Sequence, residues 1–508
     1  MNEVGFGTGN WIALIIYLLV TLLIGVYFTK RAGEDTEAFF KAKGKVPAWA
    51  VGFSIYATTL SAITYMGTPE RAFNTDWSYA AGNLAIIAII PLLIYFYIPF
   101  FRKLDVTTAY EYLEERFGIT MRVIGSLAFT LFHIGRVAIV IYLPTLAITS
   151  VSDINPYLIA TLVGILCMVY TFMGGIEGVI WSDVIQDIIL IGGAVAVIFL
   201  GAFQIDGHFA TVAHEAMQDK KFISAENWKF GSAAAAIPII FIGSIFNNLH
   251  QYTASQDIVQ RYQTTGTIAS TNKSLWTNGL LAFITIPIFY GMGTVLYSFY
   301  HNVSSLPKDF NTSAIVPYFI LTEIPPFVGG LLIAAIFAAA QSTISSSLNS
   351  ISACVVVDLK QRFSKSNDSS KDVLLARLII IVAGLFGTLA SLYLINQKTN
   401  ETWDLFLLIT GLFGVPIAGV FAVGIFTKRA NTYGVIIGLV VAAISSYFIG
   451  KTDITPFTIS VIGFFIAFIV GYLASLPFSK HNKNIVGLTI FTINDQYVKD
   501  NNGSRTEI

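Results

Sequence analysis

Apolar runs of about 20 residues, long enough to cross a bilayer as a helix, recur along the whole of this chain. They lie near 11–28, 47–66, 79–98, 122–149, 156–173, 184–204, 235–255, 276–299, 327–356, 375–395, 404–427, 433–449 and 456–477. The pattern predicts an all-α integral membrane protein of about thirteen spans. No linker between the runs is long enough to form a separate domain. The longest polar stretch, 206–232, carries two His and several charges but no apolar periodicity, and reads as an external loop or short surface helix. The first run is not a cleavable leader: no basic residue precedes it, and Lys30 and Arg31 follow it where a small-residue cleavage site would stand.

Composition sharpens this picture. Of 508 residues, 55% are hydrophobic and 12% charged, against about 25% charged in soluble proteins. Lys and Arg balance Asp and Glu to a formal net charge of zero. These figures exclude a soluble enzyme, a nucleic-acid binder, which needs a basic face, and a disordered scaffold. The solvent implied is a lipid bilayer. Most basic residues fall in 30–45, 102–122, 261–273, 360–377, 428–429 and beyond 479. The others are Arg71, Lys220, Lys221, Lys229, Lys308, Lys398 and Lys451 on the opposite side, and Arg136 within a span. That bias predicts a multi-pass protein of the cell membrane with its N-terminus outside and its C-terminus in the cytoplasm. Cys167 and Cys354 fall in apolar segments and read as packing residues. HExxH, GxSxG, Walker A and GxGxxG patterns are absent, so the chain is not read as an enzyme.

Polar groups at membrane depth are expensive and mark function. Arg136, in TLFHIGRVAIVIYL, faces either an anionic ligand or an internal acid such as Asp183; the ligand is favoured because no acid is placed mid-span elsewhere. His133 shares its face and reads as a packing residue. Ser342, Thr343, Ser345, Ser346 and Asn349 crowd one helical stretch. One or two hydroxyls would serve tight packing, but this many also suit an alkali cation, which takes hydroxyl and carbonyl oxygens. Thr58, Thr59, Ser61 and Thr64 interrupt the second span, which predicts a helix broken at mid-membrane with free carbonyls. Asp183 either neutralises a cation or is an acid at a helix start.

GGIEGVIWSDVIQ (174–186), TASQDIVQRY (253–262) and AAAQSTISSSLNS (338–350) together resemble the sodium:solute symporter family, and the likeness runs from the first span to about residue 477. FSIYATTLSAIT, FHIGRVAI and IEGVIWSDVIQ are most like its bacterial sodium/sialic acid symporters. The resemblance implies a LeuT-like core of two inverted five-helix repeats, about 47–204 and 235–427. An extra helix at 11–28 and extra helices over 433–477 complete one transporter domain (1–477), with 478–508 as a cytoplasmic tail. It further implies Na+ as the coupling ion. A first site would take the carbonyls of Ala57, Leu60 and Ala339 and the hydroxyls of Ser342 and Thr343. A second would take Asp183, Ser342, Ser345 and Ser346. Sialic acid, or a similar small anionic sugar, would meet Thr59, Ser61, Thr64, Tyr79, Asn83 and Phe246, with Arg136 on its carboxylate. Three departures stand out: Thr343 where Ser is commoner, Asn83 where Gln is expected, and Tyr79 where Phe is expected. The alternative is a sodium symporter for another small organic acid, sugar or amino acid.

Overall fold

Where no water reaches the backbone, each N–H and C=O must be satisfied within its own segment, and helices dominate this chain accordingly. The computed structural model describes residues 5–229, 236–364, 368–397, 414–452, 454–478, 485–495, 497–499 and 505–507. Its first half comprises α1 (Thr8–Ala32), α2 (Thr36–Lys41), α3 (Ala48–Thr59), α4 (Ala62–Asn74), α5 (Ala80–Phe96), α6 (Ile98–Lys103), α7 (Ala109–Phe117), α8 (Ile119–Thr149), α9 (Pro156–Ala202) and α10 (His208–Gln218). The second comprises α11 (Ile237–Thr253), α12 (Gln256–Tyr262), α13 (Ile268–Asn302), α14 (Ile315–Glu323), α15 (Val328–Ala353), α16 (Gln361–Phe363), α17 (Ser369–Gln397), α18 (Val415–Phe426), α19 (Thr432–Ile449) and α20 (Pro456–Ser475). A two-stranded antiparallel ribbon pairs Tyr497–Lys499 with Arg505–Glu507.

Among the described residues, eight helices are long and apolar enough to cross a membrane, and α5 and α18 are shorter apolar helices. The expected span 404–427 is seen only from Val415, its earlier part lying outside the described residues. Large apolar side chains such as Leu23, Phe386 and Phe448 stand more than 60% exposed, as lipid-facing residues do. The polarity runs the other way inside. Every residue of α15 from Leu332 to Ala353 is buried, serines included.

Two expectations about segmentation change. The runs 156–173 and 184–204 are one helix, α9, interrupted by Gly175 at φ 54, ψ −158. Only glycine adopts that backbone without strain, and a Cβ there would lie 3.0 Å from the Phe39 carbonyl. Asp183 therefore sits two turns beyond the kink, not at a helix start. The tail is not wholly free: Val486 and Leu488 are buried, the Tyr112 hydroxyl donates to the Leu488 carbonyl at 3.0 Å, and Ile490 N–H donates to the Ile425 carbonyl at 3.0 Å. The polar stretch 206–232 contributes α10, which buries Val212 and Ala216. Cys167 and Cys354 are both buried and free.

Small residues let helices meet closely. Gly25 of α1 backs onto the Tyr170 backbone of α9, and Gly438 of α19 onto the Gly471 backbone of α20, leaving no room for a Cβ at either glycine.

Candidate functional site

The second span breaks between α3 and α4. Leu60 is extended (φ −88, ψ 116) and so is Ser61 (φ −106, ψ 167). The local cause is legible: the Thr58 hydroxyl bonds the Ser54 carbonyl at 2.7 Å and the Thr59 hydroxyl the Tyr56 carbonyl at 2.8 Å, so side chains compete for the helix's own acceptors. The last carbonyls of α3 are left without helical donors. A second break separates α11 from α12, where Ser255 is extended (φ −93, ψ 120).

At the first break the expected sodium ligands converge. Ser342 Oγ lies 3.0 Å from the Ala57 carbonyl and 3.2 Å from the Ala339 carbonyl, and Thr343 Oγ1 lies 3.4 Å from the latter. Oxygens about 2.4 Å from a hard cation in an octahedron are about 3.4 Å apart, so these need only part by a few tenths of an ångström at most to admit an ion. Leu60, the fifth expected ligand, stands in the break itself.

Around the second set of ligands the structure holds a ring of polar contacts. Arg261, fully buried, sets Nη2 at 2.9 Å from Asp183 Oδ2 and 2.6 Å from Ser346 Oγ, and Nε at 2.7 Å from Ser54 Oγ. Ser346 Oγ is 3.0 Å from Thr58 Oγ1. The Thr58 carbonyl accepts from Arg136 Nη2 at 3.0 Å, and Arg136 Nη1 is paired with Asp257 Oδ2 at 3.2 Å. Arg261 Nη1 closes the ring by donating to the Asp257 carbonyl. Ser345 bonds within its helix, to the Ser342 carbonyl at 3.2 Å. Asp183 Oδ1 and both carboxylate oxygens of Asp187, one turn further along α9, are buried without a hydrogen-bond partner.

Arg136 thus has an internal acid in this state, and the acid is Asp257; Asp183 belongs to Arg261. Both corrections come from the stretch 253–262. Arg261, expected in the cytoplasmic basic segment 261–273, belongs instead to the short helix α12, buried at every position from Gln256 to Tyr262. The signal was present, since Asp257 and Arg261 fall one helical turn apart immediately after an apolar run. His133 also joins this cluster, its ring nitrogens 2.9 Å from Ser347 Oγ and 3.3 Å from Ser255 Oγ.

The expected sugar-contacting residues occupy two places. Thr59, Ser61 and Thr64 flank the break, with Ser61 opening α4 and Thr59 and Thr64 half-buried. Tyr79 caps α5, with the Arg71 guanidinium over its ring at 3.9 Å and Phe457 edge-on at 5.7 Å. Asn83 lies one turn on and is half-buried. Phe246 of α11 packs on Phe464 and Phe465, at 4.9 and 5.1 Å between ring centres. In this state Tyr79 and Phe246 are engaged with α20.

Residues 39–442 match the sodium:solute symporter family. The chain is 45% identical over 486 residues to the sodium/sialic acid symporter NanT of Aliivibrio fischeri, covering 95% of this chain and 96% of that protein. It is 47% identical over 442 residues to the sodium/sialic acid symporter SiaT of Proteus mirabilis, covering 87% and 89%. Its fold superposes with a TM-score of 0.88 and 44% identity on a substrate-bound, outward-open Na+-coupled sialic acid symporter, over 94% of this chain and 99% of that one. The fold is shared at 16% identity, with a TM-score of 0.57 over 86% of this chain and 93% of that one, by a nucleobase-cation-symport-1 family transporter. The chain belongs to the sodium:solute symporter family and has its LeuT-like, multi-pass helical architecture, the short ribbon near the C-terminus aside.

Proposed function

We propose that this protein is a sodium-coupled symporter that imports sialic acid across the cytoplasmic membrane by alternating access, and that it carries out no covalent chemistry. The observation that carries the reading is the convergence of Ala57, Ala339, Ser342 and Thr343 oxygens at a helix break. An ion there ties α3 to α15 and stabilises the arrangement that accepts substrate. Coupling requires that difference in affinity between states. The similarity to two sodium/sialic acid symporters supports the choice of substrate.

In this reading Na+ enters from outside, drawn by its gradient and by the membrane potential, worth about 2.3 kcal/mol per charge at about 100 mV. Arg136 exchanges Asp257 for the sugar's carboxylate, which its planar fork suits. Thr59, Ser61, Thr64 and Asn83 read the hydroxyls, and Tyr79 and Phe246 wall the pocket once they leave α20. Two repeats, about 47–204 and 235–427, each opening on a broken helix, rock against each other to release both ligands inside. The N-terminus lies outside and the C-terminus in the cytoplasm.

The deciding experiment is uptake of radiolabelled N-acetylneuraminate into proteoliposomes with internal and external sodium varied independently. Accumulation should follow the inward sodium gradient. Uptake indifferent to that gradient, or driven equally by protons, would refute the mechanism. A competition panel of small acids, sugars and amino acids separates sialic acid from the alternative substrates.

A further inference from the structure

The oxygens assigned to the second sodium already face a cation of the chain's own. Arg261 Nη2 is within hydrogen-bond distance of both Asp183 Oδ2 and Ser346 Oγ. Its Nε holds Ser54, whose hydroxyl donates to the same carboxylate oxygen at 2.5 Å. The carboxylate and one of the three hydroxyls of that site therefore serve a guanidinium, while Ser342 and Ser345 turn to backbone carbonyls. Asp183 carries a single negative charge and is fully buried, as is Arg261. Sodium added on the same oxygens would place two like charges together in a fully buried site, where repulsion is strongest. Asp183 Oδ1 has no partner, which gives an arriving ion one free oxygen from which to begin an exchange.

We infer that Arg261 is a tethered competitor for the second sodium: its guanidinium holds Asp183 and Ser346 when the ion is absent, and the ion takes those oxygens as the guanidinium leaves them. This rests on the reading of Asp183, Ser342, Ser345 and Ser346 as a sodium site. It also supplies a route to the substrate. Arg261 Nη1 is bonded to the Asp257 carbonyl, and the Asp257 carboxylate holds Arg136. On the other arc of the ring, Ser346 meets Thr58, whose carbonyl holds the second arm of Arg136. Displacing Arg261 disturbs both attachments of Arg136 at once and frees its fork for a carboxylate. Sodium and the sugar acid then favour the same state, which is positive coupling between two sites.

Arg261 is a positioning residue here, and a purely structural ion pair makes the opposite prediction. The test uses the purified full-length protein in proteoliposomes, with uptake of N-acetylneuraminate titrated against sodium for wild type, Arg261→Gln, Arg261→Lys and Ser345→Ala. With the competitor gone, Arg261→Gln should lower half-saturating sodium by about fivefold or more, the lower end of common allosteric couplings. Arg261→Lys keeps the charge but cannot span Asp183, Ser346 and Ser54 together, so it should shift the same way by less. It also serves if the glutamine variant fails to fold. Half-saturating sodium that rises or stays unchanged in either folded variant overturns the competition. Ser345→Ala removes a ligand that Arg261 does not touch. If it leaves the sodium dependence as in wild type, the second-sodium reading falls and takes this proposal with it. If it raises half-saturating sodium while the arginine variants do not lower it, the site stands and only the competitor role is lost.

Discussion

The Ser342 hydroxyl lies 3.0 Å from the Ala57 carbonyl, joining the serine-rich helix α15 to the end of α3 across the interior of the protein. That hydroxyl belongs to both proposed sodium sites, and its loss removes one oxygen from each. An interaction of this kind with a charged group is worth about 1.5–3 kcal/mol. Ser342→Ala should accordingly raise the sodium concentration for half-maximal uptake by about tenfold or more. Ser342→Thr, which keeps the oxygen, should lose much less. A sodium titration of uptake reads both, and an alanine variant with wild-type sodium dependence removes Ser342 from the ion path.

The pairing of Arg136 with Asp257 predicts a conditional stability. Asp257→Asn leaves a buried guanidinium short of its counter-charge, a defect worth about 3–5 kcal/mol in comparable buried pairs. A ligand carboxylate can then restore what the side chain supplied. N-acetylneuraminate should therefore raise the thermal unfolding midpoint of Asp257→Asn more than that of wild type, since ligand binding to the folded state stabilises it by mass action. An equal or smaller shift in the variant would mean that the sugar's carboxylate and Asp257 do not share Arg136.

These residues also mark where sequence reasoning stopped. Hydropathy alone located the long apolar helices, eight of which among the described residues are long enough to cross a membrane, because lipid demands long apolar runs. Thr58, Thr59 and Ser61 announced a break, because hydroxyls competing for carbonyls weaken a helix wherever they cluster. Asp183 was visible as an acid near a span, yet its partner was not, because Arg261 lies in another segment altogether. Charges next to a span look like loop charges in a hydropathy profile. Only the fold reveals that α12 is buried on every side. Gly175 was equally silent, since a kink that leaves the helix nearly continuous changes neither composition nor period.

That kink gives a prediction of its own. At φ 54 and ψ −158 a side chain is strained by about 1–3 kcal/mol, and the new methyl would press against the Phe39 carbonyl and Ala32. Gly175→Ala should lower the unfolding midpoint, with uptake falling beside it, because the kink aims the Asp183 segment of α9 at Ser54 and Arg261. Gly192→Ala, on the same helix with nothing near its Cβ position, is the control and should be neutral. Equal behaviour of the two variants would show that the kink is not held by Gly175.

The anchoring of α15 at its other end yields the last prediction. Asp358, fully buried in the turn that continues α15, is paired with Arg122 Nε at 2.7 Å and accepts from the Thr108 hydroxyl at 2.5 Å. Arg122 also binds Glu114 at 2.7 Å, and Glu114 holds Arg362 at 2.7 Å. One guanidinium thus ties α7, α8 and the extension of α15 together. Arg122→Ala strands Asp358 in the interior, at a cost of about 3–5 kcal/mol. Asp358→Asn added to it removes the stranded charge and should recover part of the loss, a non-additivity that neighbouring groups show and distant ones do not. Thermal unfolding of the two single variants and the double variant measures it. Because the network grips the helix that carries the sodium ligands, Arg122→Ala should also weaken sodium dependence, whereas a network that merely seals the surface would leave that dependence untouched. Strictly additive losses, or a destabilised variant with unchanged sodium titration, would separate this anchor from transport.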